Sequence, residues 1–121
     1  MRREAFEELV RQAIESIPED FLNIMSNVDF HVRRWPLRRH LKGAQLSDDE
    51  TLLGLYEGVP LTEGYDGNMM PPDIITIFQG PIEEMCSTDN EIRVQVRTTV
   101  IHEVAHYFGI SDAELYDWGL A

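Results

Sequence analysis

His102 and His106 stand four residues apart in the segment His102-Glu103-Val104-Ala105-His106. On an α-helix, residues at that spacing lie one above the other on a single face, about 6 Å apart along the axis. Two imidazoles so placed can converge on one zinc ion at about 2.0–2.1 Å each. On a strand the same pair would stand roughly 13 Å apart and could not share an ion. The chemistry therefore demands a helix. Glu103 is rotated about 100° from His102 and about 60° from His106, which sets its carboxylate beside the coordination position the histidines leave open. From there it can take a proton from a water whose pKa zinc lowers toward neutrality. This is the physical content of the H-E-x-x-H pattern, and it makes Glu103 the expected general base.

Two residues downstream extend the pattern. Gly109 falls on nearly the same face as the histidines, where a side chain would crowd the site, and it can end the helix in the left-handed region. Asp112, three residues further on, can offer a carboxylate oxygen as third ligand once the chain has turned back. A competing reading is local: Ser111-Asp112-Ala113-Glu114 has the S-x-x-E form of a capping box, and Asp is favoured in a first helical turn. With this composition H-E-x-x-H arises by chance in roughly one such chain in a hundred, and requiring Gly109 and Asp112 lowers that to roughly one in ten thousand. The longer motif is thus the more specific signal.

The elements that must hold these residues are less plain. Within 90–108, Val94, Val96, Thr98 and Val100 alternate like a strand, and β-branched residues are poor helix formers. Yet Ile92, Val96, Val100, Val104 and Phe108 form a drifting helical stripe that Thr88 or Asp89 can cap and Gly109 can close. Helix is the expectation. Phe6, Leu9, Val10, Ala13, Ile14 and Ile17 predict an amphipathic helix over 3–17, which Pro18 ends. Phe21, Leu22 and Met25 suggest a further turn or two. Val28, Phe30 and Val32 alternate with Asp29, His31 and Arg33 as in a half-buried strand, closed by Trp35-Pro36. Residues 37–51 are polar and read as loop. Leu52 to Tyr56 is a second apolar run, and the turn-rich stretch 62–73 is a loop. Ile74 to Phe78 is apolar on both faces, suiting a covered strand that Gly80-Pro81 stops. The expected architecture is α+β: about three strands packed on the histidine-bearing helix, with N-terminal and C-terminal helices, in one domain over 1–121.

The segments reached so far resemble a family of small bacterial zincin-like metallopeptidases whose motif is H-E-x-x-H-x-x-G-x-x-D. Leu53-Gly54-Leu55-Tyr56-Glu57-Gly58-Val59-Pro60-Leu61-Thr62 is similar to the family's central segment. Phe78-Gln79-Gly80-Pro81-Ile82 is similar to its next landmark, and Val96-Arg97-Thr98-Thr99-Val100-Ile101 leads into the motif in the same way. The resemblance implies a minimal zincin, a small sheet with the active-site helix packed beneath it, and His102, His106 and Asp112 as ligands. Every methionine precedes the motif, so the methionine turn of metzincins has no counterpart. A glutamate ligand of the gluzincin kind usually lies further downstream than the chain remaining after His106 allows. Asp112 is the better third ligand on both counts.

The 121 residues suffice for one modest core, and a hydrophobic share of 43% favours folding. The net charge of −12 argues against nucleic acid as a partner, because phosphates call for Lys and Arg. Cys86 is the only cysteine, which excludes an internal disulfide and leaves no second thiol for a Cys-based metal site. The N-terminal MRREAFEELVRQ has no apolar signal core and no stretch is long enough to span a bilayer, so no membrane partner and a cytoplasmic location are expected. Arg33, Arg34, Arg38, Arg39 and Lys42 form a basic run, read chiefly as a solvated loop with anion or substrate recognition as the sharper alternative. His31 and His40 read as surface residues, Tyr107 and Tyr116 as packing residues that can also reach an oxyanion, and Phe108 and Trp118 as core. The expected function is zinc-dependent hydrolysis of a peptide or protein substrate. The alternative is a non-catalytic metal-binding or protein-interaction module on the same scaffold.

Overall fold

The structure, a computed structural model, describes residues 1–25, 27–44, 51–58, 71–110 and 112–117, and within 112–117 the side chains of Ala113, Glu114 and Asp117 only. In chain order the elements are α1 (Arg3–Glu15), α2 (Glu19–Ile24), β1 (Val28–Arg33), α3 (Arg38–Gly43), β2 (Gly54–Glu57), β3 (Asp73–Phe78), α4 (Gln79–Met85), α5 (Asp89–Phe108) and α6 (Asp112–Asp117). The architecture is α+β, as expected. The sheet order is β1-β3-β2. β1 runs parallel to β3, with Phe30 opposite Ile75, and β2 runs antiparallel to it, with Tyr56 also opposite Ile75.

The helical stripe of α1 buries Phe6, Val10 and Ala13, and the chain leaves the helix at Ser16, whose hydroxyl donates to the Ala13 carbonyl, just before Pro18. β1 alternates as its sequence predicts: Val28, Phe30 and Val32 are half-buried, while Asp29, His31 and Arg33 are exposed. β3 is central, and its last four residues, Ile75 to Phe78, are all buried, which explains an apolar run without alternation. α5 packs against α1 on one side and against β2 and β3 on the other. Ile75, Ile77, Val96, Val100 and Val104 meet Phe6 and Val10 in one core. Burying each such side chain contributes about 1.5–3 kcal/mol.

Two helices occupy places where the sequence suggests none. Residues 38–43 form α3 rather than loop, because the Leu37 N–H donates to His40 Nδ1 at 2.9 Å and closes the first turn. His40 is accordingly not a surface residue. It is 1% exposed and sits edge-on to Phe78, ring centroids 5.2 Å apart. α4 begins directly at the end of β3, across Gly80-Pro81. Proline is tolerated in a first helical turn, where the N–H has no intrahelical partner. Gly80 donates to the Arg34 carbonyl at 2.8 Å, and a Cβ there would come within 2.7 Å of that oxygen and of the Trp35 ring. No helix among the described residues is long and apolar enough to cross a membrane.

Candidate metal centre

α5 resolves the ambiguity of 90–108 in favour of helix. Thr88 Oγ1 accepts from the Glu91 N–H at 3.1 Å, so of the two candidate caps Thr88 is the N-cap and Asp89 opens the helix. At the other end Gly109 adopts φ 67°, Ile110 N–H reaches the Ala105 carbonyl and Gly109 N–H reaches that of His106. This is a Schellman closure, completed by Ile110 packing on Ile101 and Ala105. The positive φ is what the position requires. A Cβ at Gly109 would meet nothing within 4 Å, so the expectation that a side chain there would crowd the histidines does not hold.

The helix brings His102 and His106 together as their spacing predicts, with ring centroids 4.6 Å apart. His102 is half-buried, His106 exposed and Glu103 only 5% exposed. The three residues present ligand atoms that all lie within 4.8 Å of one another. Asp112 is the first residue of α6, which packs against α5. Its side chain, like Ser111, the Tyr116 side chain, Trp118 and most of the 62–73 loop, lies outside the described residues.

Glu103 is buried because β2 comes down onto it. The Phe78 N–H donates to the Leu53 carbonyl, which makes Leu53 and Phe78 a hydrogen-bonded pair. In an antiparallel ladder such pairs alternate, so Leu55 and Glu57 face β3 while the backbone groups of Gly54 and Tyr56 face the free edge. The Tyr56 N–H on that edge donates to Glu103 Oε1 at 3.0 Å. His106 Nδ1 lies 3.1 Å from the same oxygen. With the proton on Nδ1, His106 donates to Glu103 and keeps its Nε2 lone pair for a cation. Glu103 Oε2 carries no hydrogen bond among the described residues. It is also not fully enclosed, since the one enclosed side-chain atom without a hydrogen bond among those residues is His40 Nε2.

Gly54 permits this approach. A Cβ on it would stand 2.7 Å from Thr99 Cγ2, 3.2 Å from Glu103 Cγ and 3.3 Å from the Thr76 carbonyl oxygen. The Tyr56 ring is fixed from two sides: its hydroxyl donates to Asp73 Oδ2 at 2.8 Å, and it meets Tyr107 edge-on at 5.9 Å between centroids. Burial and the Asp73 carboxylate push the Tyr56 phenol well above its usual range, so it stays protonated. Tyr107 also packs on Phe108, and Phe108 is only half-buried at the margin of the core. Neither Gly54 nor Tyr56 stands out in the sequence as a site residue by its chemistry. A glycine inside a strand, where a neighbour approaches closely, is the signal that marks the first; a backbone N–H leaves no signal.

Two imidazoles and a carboxylate gathered at one helix end form a donor set that suits zinc. Comparison with known proteins agrees. A family model described as zincin-like metallopeptidase matches residues 25–120. Among solved structures, a conserved hypothetical protein from Thermo thermophilus superposes with a TM-score of 0.61 at 24% identity, over 89% of this chain and 94% of that one; at this identity the likeness shows the fold. No curated protein matches the chain. With the H-E-x-x-H residues gathered on α5 and the family match spanning most of the sequence, the chain belongs to the zincin-like metallopeptidases.

Proposed function

We propose that this protein is a zinc-dependent hydrolase that cleaves peptide bonds, with His102, His106 and Asp112 holding the ion and Glu103 acting as general base. The observation that carries this reading is the state of Glu103: a buried carboxylate between the two histidines, anchored through Oε1 by the Tyr56 N–H and left with Oε2 open. When bound, zinc supplies Lewis acidity that polarises the scissile carbonyl and acidifies water.

The remaining steps belong to the chain. Glu103 Oε2 takes the proton of the attacking water, then delivers it to the leaving amine, a role usually worth roughly 10²–10⁴-fold in rate. The Tyr56 N–H holds the carboxyl plane still while the proton moves. Asp112 follows the Schellman turn at Gly109 and Ile110, which brings the chain back against α5 and supports its assignment as third ligand. In this reading 1–121 is one domain that acts in the cytoplasm on peptide or protein substrates, with no nucleic acid or membrane partner.

The test is cleavage of a fluorogenic peptide library by zinc-loaded protein, before and after chelation. The expected result is cleavage that chelator removes and added zinc restores. Cleavage indifferent to chelator, or none across the library, would contradict the proposal.

A further inference from the structure

The opposite edge of the sheet carries a second feature that hydrolysis leaves unused. β1 is an edge strand. The Asp73 N–H donates to the Asn27 carbonyl, so the Asn27 carbonyl faces β3. In a parallel ladder, residues two apart face the same neighbour. The backbone groups of Asp29, His31 and Arg33 therefore point to β3, and those of Val28, Phe30 and Val32 point outward. Arg3 agrees with this assignment, since its guanidinium donates to the Val32 carbonyl at 2.6 Å from outside the sheet. No other hydrogen bond reaches the N–H of Phe30 or Val32, or the Phe30 carbonyl, among the described residues.

Between this edge and α1 runs a groove of about 820 Å³. Its wall on α1 is apolar at Val10 and Ile14; Arg3, Arg11, Arg33 and Arg34 stand along it, with Glu7 beside Arg3 as the one acidic residue of the lining. Four of the ten cationic side chains of a chain with net charge −12 thus line one groove. Arg3 is paired with Glu7, Arg11 with Glu8 and Glu15, and Arg34 with Glu83 at 3.7 Å. Arg33, on the exposed face of β1, has no ion pair among the described residues.

We propose that this groove binds an acidic, extended peptide segment, which adds to the sheet as a strand beside β1. The outward N–H groups of Phe30 and Val32 and the Phe30 carbonyl supply the ladder. Alternate ligand side chains then fall on opposite faces. One set lies over Val10 and Ile14, where apolar residues fit. The other lies beside His31 and Arg33, where carboxylates fit. The Arg3 guanidinium on the Val32 carbonyl marks where the added strand ends. A second copy of β1 carries Asp29 among His31, Arg33 and Arg34, so it matches the charge of the groove less well than an acidic segment. The negative charge elsewhere on the surface repels acidic peptides, so their binding reports this groove.

The probe is a labelled peptide of about eight residues alternating glutamate and valine, followed by fluorescence anisotropy with the full chain. Saturable binding below about 1 mM is expected. The lysine–valine counterpart should fail to bind. N-methylation of the alternate peptide amides that face β1 should weaken binding by roughly tenfold or more, because it removes the ladder while keeping the charge. Arg33→Glu, which breaks no ion pair among the described residues, should weaken it by about tenfold, and amide signals of Phe30 and Val32 should shift and gain exchange protection. Four results would overturn the proposal: no saturable binding, equal binding by the N-methylated peptide, perturbed amides confined to another face, or a dimer in sedimentation that protects the Phe30 and Val32 amides without peptide.

Discussion

The backbone N–H of Tyr56 donates to Glu103 Oε1 at 3.0 Å, so the free edge of β2 holds the carboxylate that follows the first histidine of α5. The bond joins two parts of the chain 47 residues apart, and it depends on how closely β2 approaches the helix. Gly54 sets that approach.

Gly54→Ala should therefore be costly. Its Cβ would lie 2.7 Å from Thr99 Cγ2 and 3.3 Å from the Thr76 carbonyl oxygen, and relieving such overpacking costs about 1–3 kcal/mol. Urea denaturation should show that loss. Thr99→Ser removes Cγ2 while keeping the hydroxyl that accepts from Gln95, so the double variant should recover part of the stability. A double variant no more stable than Gly54→Ala would show that the strain lies elsewhere.

Zinc retention tests the ligand set. Wild-type protein loaded with zinc and dialysed should keep about one ion per chain, and His102→Ala or His106→Ala should each abolish tight retention. Equal retention by all three proteins in elemental analysis would remove the metal from the mechanism.

Asp112 separates ligand from helix cap. As a ligand, Asp112→Ala should weaken zinc affinity by more than about tenfold, the lower bound set by losses of mere supporting groups. As a cap, it should cost about 1 kcal/mol of stability and leave affinity nearly unchanged. Competition titration against a zinc indicator, paired with thermal denaturation of the metal-free protein, distinguishes the two, and the ligand outcome is predicted.

His40 should make stability fall in mild acid. Burial, then the Arg39 charge, push its imidazole below the usual range, with Arg33 adding to the shift and Glu57 opposing it. A depressed histidine favours the unprotonated form in the fold. Stability is thus full above the unfolded value of about 6.5 and is lost as pH falls through the folded value. Metal-free wild type should lose up to about 1.4 kcal/mol per pH unit from this group as pH drops below about 6.5. His40→Asn offers an oxygen to the Leu37 N–H without titrating, and its profile should be flatter across the same window. Parallel profiles would contradict the assignment.

The sequence displays the chemistry better than the scaffold. His102, Glu103 and His106 are legible because one helical turn fixes their relation, and Thr88 and Gly109 because caps have residue preferences. The strand-like alternation of Val94 to Val100 misleads only locally. Near its C-terminal end α5 is covered by α1 and the sheet on one side and by Ile110 on another, so Val100, Ile101, Glu103, Val104 and Ala105 are all buried and no single stripe marks the period. α3 is hidden because a six-residue helix built on Arg38, Arg39 and Lys42 shows no apolar face, and its one buried polar residue, His40, turns inward to satisfy the Leu37 N–H. α4 is hidden by Gly80-Pro81, which stops a strand but equally starts a helix. The tie between Tyr56 and Glu103 has no sequence signal at all, since its donor is main chain and its geometry is set by strand pairing.

Glu103 is central to the proposed mechanism as a base that is not needed to hold the ion. Glu103→Gln keeps the size of the side chain and an oxygen for the Tyr56 N–H, while removing the group that accepts a proton. The most direct measurement is the initial rate of peptide cleavage by wild type and by Glu103→Gln, each verified to carry the same zinc content. A loss on the order of 10²-fold or more is predicted in the variant. Equal rates at equal zinc content would contradict the role of Glu103 as base.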